Sequence, residues 1–307
     1  MRIFLNPESH YGHGLEIWER IQPEVRQKFG PFEVEEIHVN DFHNQIQQAV
    51  ENGESQFVAA GGDGTVNLLV NELMKNGFDR KSISLGAIGL GSSNDFHKPV
   101  HKNNKIAQIP VRLDFRQVQE TDVIRIKYLV PGNGIVTKFA IINASIGITA
   151  QANALYNSRE RTIQWFQKHS VEAAILLTAL KTIFTYRNIP AVIHFENGET
   201  KPAEITNLGI IKNPHFAGNL CYDTSIKFND GQLCVNLGAA MNRFEAVRAL
   251  LALYRGKFSQ RSKTFSRKTT RLRVSSNQNF ALEMDGEVVL TSSVEFEVLP
   301  KAVRCCR

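Results

Sequence analysis

The spacing of apolar residues in the first third of the chain predicts strands that alternate with helices. Leu15, Trp18, Ile21 and Val25 recur at intervals of three or four, as on one face of an amphipathic helix. Short apolar runs predict strands at residues 2–5, 33–39, 57–60 and 83–88, and further helices are predicted at 42–50 and 66–74. Such alternation is typical of a parallel sheet whose strands are joined by right-handed crossovers.

The pattern changes from about Val111 onward. Strand-like segments at residues 122–127, 138–142 and 191–195 are separated by turn residues at 131–134, 197–198 and 229–231. This arrangement predicts a mostly antiparallel second domain, of the β-sandwich kind. We therefore expect an α/β domain with a parallel sheet over residues 1–115 and a β-rich domain over residues 116–296. The last residues, about 297–307, are expected to pack back onto the first domain.

A helical insert is predicted within the second domain, over residues 161–187. Its apolar positions recur at helical spacing, and they are Ile163, Phe166, Val171, Ala174, Ile175, Leu177, Leu180, Ile183 and Phe184. The insert could line a groove for an acyl chain, or it could pack into the protein core. Because amphipathic helices usually turn their apolar face inward, core packing is the favoured interpretation.

Composition narrows the class of protein only modestly. The chain has 307 residues, 42% of them hydrophobic, and a formal net charge of +6, which suits anionic partners without choosing among them. It has no signal-peptide pattern and no apolar run near the roughly 20 residues that a membrane helix needs. The four cysteines have no zinc-like spacing, so we expect reduced thiols in a cytoplasmic protein.

The loop over residues 61–67, Gly-Gly-Asp-Gly-Thr-Val-Asn, stands between a predicted strand and a predicted helix. Glycines there let backbone N–H groups approach phosphate oxygens, and the start of the following helix adds partial positive charge. Asp63 could hold Mg²⁺ directly or through water, and Thr65 could cap the helix or donate to a phosphate. The same residues could also form only a tight turn with an Asp or Thr cap.

Two further polar loops follow predicted strands, at residues 6–10 and 89–95. Because the carboxyl ends of parallel strands meet at one edge of a sheet, the three loops are expected to form one ligand crevice. The Walker-A sequence GxxxxGK[ST] is absent. The dinucleotide fingerprint also fails, since Asn94 stands where the third glycine would be. A hydride-transfer enzyme is therefore disfavoured.

At these residues the chain resembles the diacylglycerol kinase family, which includes sphingosine kinases and is related in fold to NAD kinases. Residues 61–67 resemble the GGDGT(x)N signature, residues 6–10 the NPxSG motif, and residues 91–96 the GTxNDF loop. Further along, residues 142–147 resemble the N-x-x-x-G strand, 230–233 the DGxL turn and 284–287 the DGE turn. The similarity runs in family order from about residue 1 to residue 303.

The resemblance implies two domains with ATP bound between them. The nucleotide-binding residues that it implies are Asn6, Pro7, Glu8, Ser9, His10, Gly61, Gly62, Asp63, Gly64, Thr65, Val66, Asn67, Ser92, Asn94 and Asp95. Asp63 would engage the phosphates through magnesium and water, and so would take part in catalysis.

The resemblance also implies an acceptor site and a structural Mg²⁺ site. Asp285 and Glu287 would lie near the acceptor hydroxyl, one of them acting as the base; the alternative is that Asp285 and Gly286 form only a hairpin turn. The structural ion would bind the Asp230 carboxylate and carbonyl oxygens near Lys227 and Gln232.

Four positions depart from the family pattern. His10 replaces a glycine, Ser92 replaces a threonine, and Gly89 replaces a proline two places before the glycine of the GTxND loop. Asn40 stands where relatives often have a threonine that contacts nucleotide.

A basic stretch lies between Arg255 and Arg273, with eight lysine or arginine residues and no acidic one. It is interpreted either as an attachment to an anionic membrane or as an ordinary solvated surface, with equal weight. Its two phenylalanines do not form an RNA-binding motif, so no nucleic-acid partner is expected. His97 and His101 have zinc-like spacing but no HExxH context, and are interpreted as surface or loop histidines.

The sequence-based hypothesis is thus an ATP- and Mg²⁺-dependent lipid kinase that is cytoplasmic and peripherally bound to membrane. Its acceptor would be diacylglycerol or a related lipid, and a homodimer is one possible assembly. The alternatives are a kinase for a soluble substrate, like the NAD kinases, and an inactive nucleotide-binding regulator.

Overall fold

The computed structural model describes residues 1–75, 78–158 and 160–306. The backbone divides into two units, one of residues 1–121 with the described residues from Lys301 onward, the other of residues 122–300. These boundaries fall a few residues after those expected from sequence, because a continuous strand crosses each of them and no turn marks the place. Arg307, part of the predicted C-terminal segment, lies outside the described residues.

The first unit contains a parallel sheet with the strand order β4-β3-β1-β2. Its strands and helices are β1 (Arg2–Leu5), α1 (Ser9–Gly12), α2 (Gly14–Phe29), β2 (Glu33–Glu36), α3 (Phe42–Glu51), β3 (Gln56–Gly61), α4 (Asp63–Leu73), β4 (Ser84–Gly89), β5 (Lys105–Ile106) and β6 (Ile109–Arg112). Two short 3₁₀ turns lie at Asp95–His97 and Lys102–Asn104. The helix predicted from Leu15 to Val25 is α2, which buries Trp18, Ile21 and Val25 against the sheet residues Ile3 and Val58.

The second unit is built from antiparallel strand pairs around a large apolar core. Its strands are β7 (Val118–Val130), β8 (Gly134–Ala140), β9 (Asn143–Gly147), β10 (Ile189–Phe195), β11 (Thr200–Ile211), β12 (His215–Phe216), β13 (Leu220–Cys221), β14 (Leu233–Ala239), β15 (Thr264–Thr269), β16 (Arg271–Met284) and β17 (Glu287–Cys306). Hydrogen bonding joins β15, β14, β11, β10, β16 and β17 in that order, β9 pairs with β11 and β16, and β7 pairs with β8.

The helical part of the second unit differs from the single predicted insert. It consists of α5 (Ile148–Tyr156), α6 (Arg161–His169) and α7 (Val171–Thr185), with a break at Ser170, whose side chain caps α7. A further helix that the sequence analysis missed, α8 (Arg243–Tyr254), begins with a capping box made by Asn242 and Glu245. Ile183 of α7 and Leu250 of α8 belong to one buried cluster, which favours core packing over an open groove.

No helix among the described residues is long and apolar enough to cross a membrane. All four cysteines are free thiols. Burial raises the pKa of the Cys305 thiol to about 11, so this group stays protonated at neutral pH.

Candidate functional site

Three loops follow β1, β3 and β4 at the carboxyl edge of the parallel sheet in the first unit. Asn6, directly after β1, donates from its side-chain amide to the Thr65 hydroxyl at 3.0 Å. Its other amide atom, Oδ1, accepts the backbone N–H of Glu8 at 3.1 Å. Asn6 therefore holds the first loop against the start of α4 and shapes its own loop at the same time.

Asp63 ties the loop after β3 to the loop after β4. One carboxylate oxygen accepts the backbone N–H of Asp95 at 2.9 Å, and the other accepts that of Phe96 at 2.9 Å. Charge-assisted bonds of this kind are stronger than neutral ones. Asp63 thus fixes the second and third loops relative to each other, together with the backbone N–H of Leu90, which donates to the Gly61 carbonyl oxygen at 2.8 Å.

Glycines are required where these two loops touch. A Cβ atom added to Gly91 would lie 2.4 Å from the Cα atom of Gly62, closer than carbon atoms can pack. A Cβ atom on Gly61 would lie 2.2 Å from the Thr65 hydroxyl oxygen. At Gly64, in contrast, an added Cβ would meet open space. Gly91 and Gly61 are needed for close packing within the unit, whereas Gly64 leaves the backbone accessible to a ligand.

Asn94 and Asp95 stabilise the loop after β4 from within. Asn94 has a positive φ of 51°, and its side chain accepts the N–H of Gly91 and donates to the carbonyl oxygens of Gly89 and Gly91. The carboxylate of Asp95 accepts from the Ser93 hydroxyl and the Lys98 ammonium. These contacts give both residues a role in loop shape.

Two departures from the family pattern, at Gly89 and His10, differ in how the structure accounts for them. A Cβ atom on Gly89 would lie 2.7 Å from the ring of Pro110 and 2.9 Å from Asn94, so a proline does not fit there. His10, in place of a glycine, has a φ of 52°, in the left-handed region that glycine adopts at little cost. The chain keeps this backbone shape without the glycine.

The remaining predicted nucleotide-binding residues differ in exposure. Glu8 and Ser92 are exposed, and Pro7 is partly exposed. Ser9 and Val66 are buried, and the Asn67 side chain accepts a hydrogen bond from Asn71. The backbone N–H of Val66 donates to the Gly62 carbonyl oxygen at 3.2 Å, so this residue serves the start of α4.

His97 lies in a loop, as one of the two interpretations expected, but the other interpretation, a surface histidine, was wrong for it. It lies in the 3₁₀ turn that Asp63 holds and is 4% exposed, whereas His101 is exposed. Among the described residues, neither of its ring nitrogens has a hydrogen-bond partner. Burial, and to a lesser extent the nearby Arg112 cation, lowers the pKa of His97 to about 3. The imidazole is thus neutral at physiological pH.

In the second unit, Asp285 and Gly286 form the two-residue turn between β16 and β17. Both have positive φ, 45° and 99°, which is typical of a tight hairpin turn with an Asp-Gly sequence. The turn interpretation is therefore correct for these two residues. It does not exclude a second role for the Asp285 side chain.

The Asp285 carboxylate is buried and accepts backbone N–H groups from the connection between β8 and β9. The donors are Ile141 at 2.7 Å, Asn143 at 2.8 Å and Ile142 at 3.2 Å. Several charge-assisted bonds of this kind fix the orientation of the carboxylate. This geometry makes Asp285 a residue that positions the turn.

Glu287 is the more accessible of the two carboxylates. It stands at the first position of β17, is about half exposed, and lies 3.3 Å from the Lys138 ammonium. Burial and the negative charge of Glu287 raise the pKa of the Tyr128 hydroxyl. Of the pair Asp285 and Glu287, Glu287 is the one whose oxygens can reach an acceptor from solvent.

Glu283 supports the same turn and was missed in the sequence analysis. Its buried carboxylate accepts from the Ser145 hydroxyl at 2.7 Å and from the backbone N–H of Gly286 at 2.8 Å. The signal that could have revealed it is an acidic residue between apolar neighbours in the strand preceding an Asp-Gly turn.

The predicted structural Mg²⁺ site at Asp230 contains a lysine. The Lys212 ammonium lies 2.8 Å from the Asp230 carboxylate, 2.8 Å from the Gln232 carbonyl oxygen and 2.8 Å from the Asp122 carboxylate. The backbone N–H of Lys227 donates to Asp230 at 3.1 Å. These oxygens already surround a cation, so the predicted set of Lys227, Asp230 and Gln232 does not fit a Mg²⁺ ion here.

Two family descriptions match the chain. Residues 1–126 match the diacylglycerol kinase catalytic domain, and residues 143–307 match the YegS C-terminal NAD kinase beta sandwich-like domain. The second match alone spans more than half of the chain.

Individual relatives agree with these matches. The chain is 25% identical over 268 residues to an Alcanivorax borkumensis protein named "Probable lipid kinase YegS-like", covering 86% of this chain and 82% of that protein. It is 22% identical over 293 residues to a diacylglycerol kinase of Staphylococcus carnosus, covering 93% and 88%.

A solved structure also matches over almost the whole chain. It is of a diacylglycerol kinase from Bacillus anthracis str. Sterne, with a TM-score of 0.66 at 15% identity, covering 99% of this chain and 95% of that one. At this identity the match shows the fold: two domains, the second sandwich-like. With the family matches to both parts of the chain, it follows that this protein belongs to the diacylglycerol kinase and YegS-like family of lipid kinases.

Proposed function

We propose that this protein transfers the γ-phosphoryl group of ATP to the hydroxyl of diacylglycerol or a related lipid. The observation that carries the proposal is the set of three linked loops at the carboxyl edge of the parallel sheet, in a segment matching the diacylglycerol kinase catalytic domain. Loops at this edge are where open α/β sheets bind ligands.

In this proposal the loops bind the nucleotide through backbone N–H groups, with Gly64 leaving room for the phosphates. Asp63 orients the third loop through the N–H groups of Asp95 and Phe96. Each carboxylate oxygen has a second lone pair, so Asp63 can also accept a hydrogen bond from water bound to Mg²⁺. When bound with ATP, the magnesium ion would neutralise phosphate charge.

Glu287 is proposed as the general base that takes the proton from the lipid hydroxyl. Its exposure makes it accessible to an acceptor, and its carboxylate lies 3.3 Å from the Lys138 ammonium. Asp285 and Glu283 are proposed to hold the Glu287 backbone in place through their bonds to the turn and to the β8–β9 connection. A general base of this kind typically contributes about 10²–10⁴-fold to the rate.

Peripheral membrane binding is the second part of the proposal, since a lipid acceptor resides in a bilayer. The basic stretch is a weak candidate for the contact, because Arg267 pairs with Glu199 and Arg271 with Glu295. The exposed face of α8 suits an anionic bilayer better. It carries Phe244, Arg248 and Leu251 at helical spacing; Phe244 is 79% exposed and Leu251 49% exposed.

Vesicle sedimentation separates these two surfaces. We expect that Phe244→Ser together with Leu251→Ser weakens sedimentation with anionic vesicles, because apolar insertion is lost. Neutralising Arg267, Lys268 and Arg271 should have the smaller effect. The opposite order would assign the contact to the basic stretch, and unchanged sedimentation in both variants would remove membrane binding from the proposal.

The reaction itself is tested with γ-labelled ATP, Mg²⁺ and a panel of lipid hydroxyls in mixed micelles, with NAD as a parallel acceptor. We expect label in one lipid that extracts into organic solvent. Label in NAD alone would instead support a kinase for a soluble substrate, the NAD-kinase-like alternative. ATP binding without label in any acceptor would support the inactive regulator.

A further inference from the structure

The side chain of Lys212 is fully buried between two aspartates in the second unit. Lys212 follows the end of β11, Asp122 lies on β7, and Asp230 lies in the turn before β14. The side chains of Lys212 and Asp122 are 0% exposed, and that of Asp230 is 18% exposed. A cation and two carboxylates are thus brought together from three separate places in the chain.

The ammonium group is completely satisfied by this environment. It has three N–H donors, and three oxygens lie at 2.8 Å: one from Asp122, one from Asp230 and the carbonyl oxygen of Gln232. The carboxylates accept further bonds from the backbone, since Gly231 donates to Asp122 and Lys227 donates to Asp230. Nothing in the cluster requires an additional ligand.

The same geometry excludes a magnesium ion at the position of the ammonium. Mg²⁺ requires oxygen ligands at about 2.0–2.1 Å in an octahedral arrangement, and it retains several waters. The oxygens around Lys212 stand at the longer distance of a hydrogen bond, and the ammonium fills the space among them. A lysine and a divalent ion at this position would also repel each other.

The balance of charges around the Asp230 turn also argues against a magnesium ion. The buried Asp122 beside the largely buried Asp230 would be strongly unfavourable without a cation, so the turn needs a positive group. Lys212 supplies one charge from inside, and the half-exposed Lys268 lies 3.7 Å from the other oxygen of Asp230. Two lysine charges thus offset two carboxylate charges without a metal.

We propose that Lys212 permanently takes the place of a structural divalent cation at the Asp230 turn. The ammonium group crosslinks β7, the end of β11 and the turn before β14, and the folded second unit therefore needs no metal ion. This role of Lys212 concerns folding and is independent of the proposed reaction. Any magnesium requirement of this protein would then belong to the nucleotide alone.

The wild-type protein without nucleotide gives the first test. Thermal unfolding is measured in EDTA and in MgCl₂, with KCl at matched ionic strength, and Mn²⁺ binding is followed by electron paramagnetic resonance. We expect the same Tm in EDTA and in Mg²⁺, and no Mn²⁺ site that disappears in Asp230→Asn. A Tm that falls in EDTA, or a Mn²⁺ site lost in Asp230→Asn, would overturn the proposal.

The Lys212→Ala variant gives the second test, because it removes the ammonium and leaves space for a hydrated ion. In EDTA this variant should have a much lower Tm than wild type, and Mn²⁺ or Mg²⁺ should raise the Tm again. Lys268→Met, the control for a cation near the same carboxylate, should change the Tm little in either condition. If Lys212→Ala is as stable as wild type in EDTA, Lys212 does not replace an ion.

A Lys212→Ala variant that fails to fold without metal is expected to be recovered by refolding with Mn²⁺. Failure to recover in Mn²⁺ would contradict the idea that the two carboxylates form a cation site. The wild-type measurements stand in either case, and neither test uses phosphoryl transfer as its readout.

Discussion

Two Asp-Gly turns in the second unit look alike in sequence but neutralise their aspartates differently. At Asp285 the buried carboxylate accepts N–H groups from the backbone of residues 141–143. At Asp230 the carboxylate binds the buried ammonium of Lys212. Burial would raise the pKa of Asp230, but the Lys212 hydrogen bond and the Lys227 N–H hold this pKa below its ordinary value.

An Asp-Gly pair therefore specifies a turn, but residues far away in the sequence decide which groups bind the aspartate carboxylate. Backbone donors need no particular side chain, so the Asp285 arrangement depends mainly on the path of the connection between β8 and β9. The Asp230 arrangement depends on one lysine 18 residues away in the chain. Asp63 follows the first pattern, with two backbone donors from another loop.

The largest expected effect on stability comes from removing the Asp285 carboxylate, which is bound by backbone N–H groups. Asp285→Ala should lower the free energy of unfolding by about 4 kcal/mol, because two buried N–H groups and a partly buried one lose a charged acceptor. Chemical denaturation measures this change, with Glu287→Ala as the exposed control, expected within about 0.5 kcal/mol of wild type. Equal stability of the two variants would mean that the Asp285 bonds do not stabilise the turn.

The next largest effect concerns Asp63 in the first unit, whose carboxylate also accepts backbone N–H groups. Asp63→Ala should reduce kcat by about 10²-fold or more, because two of the hydrogen bonds that join the loops are lost and the phosphates lose a positioned carboxylate. Circular dichroism should show a folded protein. A kcat near that of wild type would remove Asp63 from the proposed mechanism.

The smallest effect is a pH dependence of stability at His97, whose buried ring nitrogens have no hydrogen-bond partner among the described residues. Its folded-state pKa of about 3 lies below the ordinary 6.5, so the unfolded chain takes up a proton first as pH falls. The stability contribution is complete above about pH 6.5 and declines from there toward pH 3. Between pH 7 and pH 5 this loss should be about 2 kcal/mol.

His97→Met should be free of that pH-dependent loss, because methionine does not titrate. The measurement is the free energy of unfolding of both proteins at pH 7 and pH 5, and the comparison is the difference between the two pH values. The exposed His101→Met is the matched control and should behave like wild type. Identical pH dependence in all three proteins would contradict a buried, neutral His97.

The parts of the fold that sequence predicted well are those set by local periodicity. The helix over Leu15 to Val25 and the strand into Gly61 follow from apolar spacing and from glycine at a strand end. The prediction of one helical insert was less accurate, because the apolar spacing is continuous across Ser170, where the structure has a break between two helices. The helix α8 was missed although Asn242 and Glu245 form a recognisable capping box.

The candidate site shows the same limit. The sequence motifs located the loops. They did not show that the Asn94 side chain hydrogen-bonds within its own loop, or that His97 is buried. Lys212 could not be assigned, since its partners Asp122 and Asp230 are joined to it only by the folded sheet. Contacts between residues far apart in sequence decide whether a motif residue faces a ligand or supports the fold.

The most direct test of the account compares Glu287→Gln with wild type in phosphoryl transfer to whichever lipid the wild-type protein labels. We expect a rate lower by about 10²–10⁴-fold, since the proposed base is lost. ATP binding and Tm should be unchanged, because Glu287 is half exposed and its pairing with Lys138 is a surface contact. Turnover at the wild-type rate in Glu287→Gln would contradict the assignment of Glu287 as the base.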